Sequence, residues 1–229
     1  PSDVAPIRRD ALPTALSLFS GGGGLDLGVE AAGYKTLACI EIDPNCCQTL
    51  LRNQPRFLPD ARIINDDVEN VDILLLMKEL GLRKGSLDLL FGGPPCQTFS
   101  QIGKKDGIKD ARGLLLFSMV KYAEALRPKA ILIENVAALR NAKDAKGQRG
   151  GILRDLVARL EALGYVVSYD ILNAADFGVA QIRKRLFIVA VREAIRFSFP
   201  ERTFGQDACH PYVSVGQAIE NLPLPVTKG

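Results

Sequence analysis

Residues 14–28 read TALSLFSGGGGLDLG. The first six form an apolar, β-prone run, four glycines follow, and a helical pattern then runs from Leu25 to Ala32 before Gly33 stops it. A strand that ends in glycines and feeds a helix opens a βα unit, where helix amides and a backbone free of side chains can receive a ligand. Gly21 and Gly23 match the first two glycines of the dinucleotide fingerprint. Asp26 stands where the third would fall, and no lysine follows to complete a nucleotide-phosphate loop.

Outward from this unit, β-rich runs alternate with helical stretches as far as Val191, the pattern of a parallel sheet covered on both faces. TLACIEI (36–42) reads as a second strand, and Asp43 caps a helix that starts at Pro44 and continues through CCQTLLRN. RIIN (62–65) is a short third strand, VDILLLMKEL a helix ending at Gly81, and LDLLF (87–91) a fourth strand. The segment GGPPCQTFSQIGKKDGIKDAR that follows is long for a connection in a compact domain, and loops of that length usually carry function. A helix over GLLLFSMVKYAEAL precedes AILIE (130–134), a fifth strand predicted beside the fourth, and ILRDLVARLEAL forms another helix, stopped by Gly164. YVVSYDIL (165–172) and RLFIVAV (185–191) have too little chain between them for a helical crossover, so they should pair antiparallel. The expected fold is α/β and Rossmann-like, with a mixed seven-stranded sheet and an antiparallel last strand. Its predicted organisation is an extension at 1–13, a catalytic domain at 14–195 and a loop-rich tail at 196–229 with one short helix near VGQAIENL.

The chain has 229 residues and a formal net charge of +3, which permits a polyanionic partner without requiring one. Its five cysteines show no CxxC spacing, and its one histidine, His210, lies near the end, so disulfide scaffolds, zinc sites and histidine-based triads are poorly supported. No metal is expected. No apolar run is long enough to span a bilayer and residues 1–13 have no apolar signal core, so the expected location is the cytoplasm.

Glu41 ends the second strand twenty residues after Gly21, where a carboxylate can accept from both hydroxyls of a ribose. An adenosine ligand without a pyrophosphate fits this acid and the glycine turn together. Asp67, past the third strand, can meet an adenine amino group, although by itself it reads more simply as a solvated loop end. Cys96 lies past the fourth strand in GGPPCQTFS, where two glycines and two prolines make a rigid, exposed turn ill suited to packing a thiol. A thiolate there needs neighbouring cations or main-chain amides. Glu134 and Asn135 end the fifth strand. A buried carboxyl at such a place can have a raised pKa and donate a proton, and a strand-end acid facing water is the simpler alternative. Gln181, Arg183 and Arg185 alternate in QIRKR, which period-two geometry puts on one face. Such a comb suits phosphate and base-oxygen contacts, and it serves equally well as a charged strand edge that blocks aggregation.

FSGGGGLDLG, EIDPN, GGPPCQTFS, ENV and QIRKR occur in the order found in the cytosine-5 DNA methyltransferases, a family this sequence closely resembles over about residues 14 to 222. The resemblance implies methyl transfer from S-adenosyl-L-methionine, leaving S-adenosyl-L-homocysteine, to carbon 5 of a cytosine flipped out of double-stranded DNA. It implies restriction-modification as the setting. Phe19, Ser20, Gly21, Gly23, Gly24 and Leu25 would line the methionine end of the cofactor. Glu41 with Ile42 would hold the ribose, Asp67 and Val68 would touch the adenine, and Pro95 with Leu114 would complete that pocket. Cys96 is implied as the nucleophile, Glu134 as the partner of ring nitrogen 3 and the exocyclic amine, and Arg183 and Arg185 as holding the flipped base and nearby phosphate. Gln97, Ser100, Lys104, Lys105, Lys109, Asn135 and Gln181 would face the DNA.

Family members normally continue with a target-recognition domain and an asparagine-bearing closing motif. Neither appears in this sequence, so a fragment, or a subunit whose partner carries the recognition domain, is expected. The competing readings are a transfer-RNA cytosine-5 methyltransferase, a non-catalytic accessory subunit of the same fold, and a nicotinamide-dependent oxidoreductase. The intact Cys96, Glu134 and Arg185 speak against the second, and the missing third glycine against the last.

Overall fold

The computed structural model describes residues 12–95, 115–193 and 195–223. Seven strands form one sheet in the order β3-β2-β1-β4-β5-β7-β6. In chain order they are β1 (Thr14–Leu18), β2 (Lys35–Glu41), β3 (Arg62–Asn65), β4 (Leu89–Gly92), β5 (Ala130–Val136), β6 (Val166–Asn173) and β7 (Lys184–Val191). The first five are parallel to one another, and β7 inserts antiparallel between β5 and β6. The expected mixed sheet with a reversed last strand is therefore present.

Each helix sits where local chemistry favours one. α1 (Gly24–Ala31) starts directly from the glycine turn. α2 (Pro44–Phe57) has Asp43 as its cap, accepting from the Asn45 N–H at 2.8 Å, with proline at the first position. It runs through Pro55 to Phe57, farther than the expected stop near Asn53; Pro55 forfeits a ladder bond and crowds the Leu51 carbonyl, and the helix ends two residues later. α3 (Ile73–Glu79) is capped by Asp72, whose carboxylate accepts from the Leu74 and Leu75 N–H groups. α4 (Ser118–Leu126) follows a short 3-10 turn, and α5 (Gly151–Ala162) starts from Gly150 in a left-handed conformation. α6 (Val215–Ile219) carries a capping box between Ser214 and Gln217.

The main core lies on the sheet face covered by α3, α4 and α5, where Leu16, Leu18, Ile40, Leu90, Ile131 and Ile133 meet Met119, Tyr122, Leu156 and Leu160. Tyr122 satisfies its buried hydroxyl by donating to the Val68 carbonyl at 3.0 Å. α1 and α2 cover the opposite face through smaller clusters around Ala15, Val29 and Phe91, and around Cys39, Leu50 and Leu58. At the amino edge, Asp88 accepts from the Thr14 N–H at 2.7 Å and pairs with Lys129 at 2.7 Å, tying together the chain that enters β1, β4 and β5.

β1 and β4 approach most closely at Leu18 and Gly92, where a Cβ on Gly92 would stand 2.4 Å from the Leu18 carbonyl oxygen and 3.3 Å from the Met119 sulfur. Neither strand can retreat without unpacking the core. Gly92→Ala should therefore lower the free energy of unfolding by about 3 kcal/mol, the upper end for overpacking a core. Urea unfolding followed by circular dichroism measures this, and an unchanged midpoint would show that the two strands are not so tightly apposed.

Candidate active site

The chain leaves β1 toward β2 on one side and leaves β4 toward β5 on the other, so the carboxyl ends of these paired strands diverge. A crevice opens there, as it does at the switch point of any doubly wound sheet. Its first wall is the glycine turn. Phe19 adopts a left-handed conformation (φ 55°), which costs a residue with a side chain roughly 1–2 kcal/mol, and Gly21 (φ 54°) and Gly23 (φ 87°) continue the bend. At Gly23 a Cβ would also lie 2.8 Å from Leu50, so glycine is required twice over. Gly22 and Gly24 have no such constraint, since a Cβ at either meets nothing within 4 Å.

Glu41, 9% exposed, clamps this turn to the end of β2. One carboxylate oxygen accepts from the Gly21 N–H at 2.7 Å and the other from the Asp43 N–H at 2.8 Å. Each oxygen keeps a further lone pair for an outside donor. The Asp66 N–H donates to the Glu41 carbonyl at 3.1 Å, which brings the β2 and β3 turns together. Ile42 stands exposed beside them, and Asp67 closes a local turn by accepting from the Glu69 N–H at 2.9 Å. Val68 departs from expectation. It is 3% exposed and belongs to the main core, because the turn that holds Asp67 directs the next side chain inward.

The second wall is built by Gly93, Pro94, Glu134 and the start of β7. Glu134 pairs with Arg185, Nε to carboxylate oxygen at 2.9 Å, and each side chain retains about a quarter of its exposure. The sequence allowed either a buried acid or one facing water; the structure instead gives an ion pair at the mouth of a cavity. A Cβ on Gly93 would sit 3.4 Å from the Glu134 carboxylate, so the chain leading to Cys96 passes directly over that group. Asn135 is also placed differently from expectation. Rather than facing DNA it is 3% exposed, donating from its side-chain amide to the Pro94 carbonyl at 2.9 Å and accepting from the Val136 N–H. It thereby fixes the proline turn to β5.

Arg183 and Arg185 line the same cavity of about 520 Å³ as Phe19, Ser20, Leu25 and Glu134. Gln181 does not join them. β7 begins only at Lys184, so period-two alternation does not extend back to Gln181, which lies in a bend where its N–H donates to the Val179 carbonyl. Pro95 is exposed at the crevice. Cys96, Gln97, Ser100, Lys104, Lys105, Lys109 and Leu114 lie outside the described residues. Burial pushes the thiols of Cys39, Cys46 and Cys47 up, so none of these three is a ready thiolate.

One cavity residue was not legible as a site. Asp26 is fully buried beneath the first turn of α1, accepting from the Cys39 thiol at 3.3 Å, while its second oxygen has no hydrogen-bond partner among the described residues. Its position in the failed glycine fingerprint was the available signal.

The fold and crevice define a Rossmann-like methyltransferase domain. The family model for the C-5 cytosine-specific DNA methylases matches residues 14–223. The type II methyltransferase M.AquIA of Picosynechococcus is 37% identical over 223 residues, covering 91% of this chain and 88% of that protein. M.PspPI of Psychrobacter is 40% identical over 190 residues, covering 82% of this chain and 41% of the relative. A prophage-encoded DNA modification methyltransferase from E. coli superimposes with a TM-score of 0.72 at 26% identity, covering 93% of this chain and 56% of that one. The chain belongs to the C-5 cytosine-specific DNA methylase family. It spans nearly all of M.AquIA and about half of most other relatives it matches. Among the described residues no helix is long and apolar enough to cross a membrane, and no cluster of His, Cys, Asp and Glu could hold a metal ion.

Burial raises the Asp26 carboxyl above its ordinary 3.8, with the hydrogen bond from the Cys39 thiol among the contributions opposing the shift. A folded value above the unfolded one gives stability that is fully present below about pH 4 and is lost as pH rises through the folded value. Asp26→Asn keeps the neutral form at every pH. Its stability relative to the native chain should therefore climb between pH 4 and pH 7, by about 1.4 kcal/mol for each unit of upward shift. Denaturant midpoints across that range read the effect, and a constant difference would mean that Asp26 titrates normally.

Proposed function

We propose that this protein catalyses transfer of a methyl group from S-adenosyl-L-methionine to carbon 5 of a cytosine in double-stranded DNA, as the catalytic part of a bacterial restriction-modification methyltransferase working in the cytoplasm. The observation that carries the reading is the Glu134–Arg185 pair, set in the cavity that the glycine turn lines and on the same wall as the proline turn preceding Cys96. The crevice fits an adenosine-bearing cofactor. Glu41 has acceptor capacity left for ribose hydroxyls, and the open space above Gly22 and Gly24 lets a ligand approach the backbone. When bound, S-adenosyl-L-methionine supplies a methyl group activated by its sulfonium sulfur and leaves as S-adenosyl-L-homocysteine.

The protein's own groups do the rest. A cytosine must leave the base stack to reach the cavity. Glu134 holds ring nitrogen 3 and the exocyclic amine, and Arg185 with Arg183 holds the base oxygen and adjacent phosphate. The Cys96 thiolate bonds to carbon 6, which moves electron density to carbon 5 and makes it nucleophilic. After methylation a base removes the carbon 5 proton and the thiolate departs, restoring the ring. Asn135 acts as a positioning residue, holding the turn from which Cys96 follows. On this proposal the DNA sequence is read by protein outside residues 14–223, in the same polypeptide or on a second subunit.

A duplex containing 5-fluorocytosine lacks the removable proton, so the adduct should persist. With cofactor, and with the recognition part supplied, mass spectrometry should find the duplex joined to the peptide carrying Cys96, while a parallel reaction with transfer RNA gives none. Glu134→Gln should lower methyl transfer at least 100-fold, within the usual range for a lost acid-base group, and leave cofactor affinity within about twofold by calorimetry. An adduct on another cysteine, or full activity of the variant, would overturn the proposal.

A further inference from the structure

One stretch of this chain is markedly basic. Residues 140–154 carry Arg140, Lys143, Lys146, Arg149 and Arg154 against a single acid, Asp144, a larger net charge than the +3 of the whole chain. The fold gathers this stretch into a shape. Lys143 and Arg149 pair across a small hairpin, and Asp144 is turned onto its backbone, accepting from the Lys146 and Gln148 N–H groups at 2.9 and 2.8 Å. Arg140, Arg149 and Arg154 then line one groove of about 660 Å³ between the turn after β5, α5 and β6, with Tyr169 on its wall. All three arginines are exposed, and among the described residues none meets a carboxylate. Arg149 donates to the Asn141 side chain at 3.2 Å, and Arg154 to the Arg149 carbonyl at 2.8 Å. Glu161, the groove's one acid, lies two helical turns from Arg154, about 10 Å along α5.

The Arg149 and Arg154 guanidiniums, held by neutral acceptors, and that of Arg140 beside them keep their charge and donors for an outside anion, and planar forked donors suit phosphate oxygens. We propose that this groove is a nucleic-acid backbone site, separate from the base cavity, that grips phosphates of the same DNA. The inference rests on the methyltransferase reading for its partner, but not for its geometry. Strand alternation explains the arrangement. Tyr169, paired with Ile188, faces α5, whereas Leu172, paired with Arg185, faces the Glu134 cavity. Edge strand β6 thus has the base cavity on one face and the arginine groove on the other. The turn carrying Arg140 follows directly on the end of β5, so a strand lying along the carboxyl edge of the sheet can meet both.

The test is the salt dependence of binding to a 30-base-pair duplex, followed by fluorescence anisotropy, for the native chain, Arg149→Gln/Arg154→Gln and a matched control, Arg52→Gln/Arg56→Gln on α2. Each phosphate contact contributes about 0.9 to the slope of log K against log salt. The groove variant should flatten that slope by about 1 to 2 and bind more than tenfold more weakly at low salt, while the control stays within twofold. Cofactor affinity and thermal midpoint should be unchanged in all three. A groove variant that matches the control, or a native chain that binds no duplex at low salt, would overturn the proposal. Saturable binding of inorganic tripolyphosphate that the groove variant loses, with its duplex slope intact, would overturn it in favour of a free polyphosphate. If the slope flattens but no methyl transfer occurs even with the recognition part supplied, the groove stands and the methyltransferase reading falls.

Discussion

Most of what this protein presents to a ligand depends on how β1 and β4 lie together. They run parallel with backbones so close at Leu18 and Gly92 that no side chain fits between them, yet their continuations turn to opposite sides of the sheet. Two turns are thereby forced apart above a tightly packed base. One is the glycine turn, strained at Phe19 and clamped by Glu41; the other is the proline turn, tethered by Asn135. Neither could hold its shape alone. A left-handed phenylalanine is unfavourable, and it persists because the surrounding contacts over-determine it.

The polar groups around the crevice fall into two kinds. Glu41, Asn135 and Asp67 make hydrogen bonds with main-chain groups, so they act first on the backbone and only through it on a ligand. Glu134, Arg183 and Arg185 keep part of their surface open toward the cavity. That division follows the chemistry proposed here. Shape must be fixed before a base arrives, whereas the groups that touch the base must still have hydrogen-bonding capacity when it does.

The arginine groove follows a third pattern. Its charges are too near one another to be indifferent, and the one acid in their stretch is held by backbone amides at the base of a hairpin. Mutual repulsion among exposed cations lowers stability slightly and is relieved when an anion arrives. A surface that tolerates such repulsion is better suited to binding than to packing.

Local sequence was enough for the order of strands and helices, for the reversed pairing of β6 with β7, for the helix start at Asp43 and for a short helix near VGQAIENL. These depend on period, capping and connection length, all of which act over a few residues. The glycine turn and the candidate roles of Cys96, Glu134 and Arg185 were legible for the same reason, aided by motif order. What the sequence could not supply came from contacts between residues far apart in the chain. Asn135 turned inward because Pro94, 41 residues earlier, offers a carbonyl, and Val68 went to the core because Tyr122 lies above it. Asp26 became a buried acid because β1 and β2 close beneath α1, and Arg140, Arg149 and Arg154 became one groove because α5 packs beside β6. Burial and partner choice are properties of packed surfaces, and no stretch of chain read by itself contains the surface it will meet.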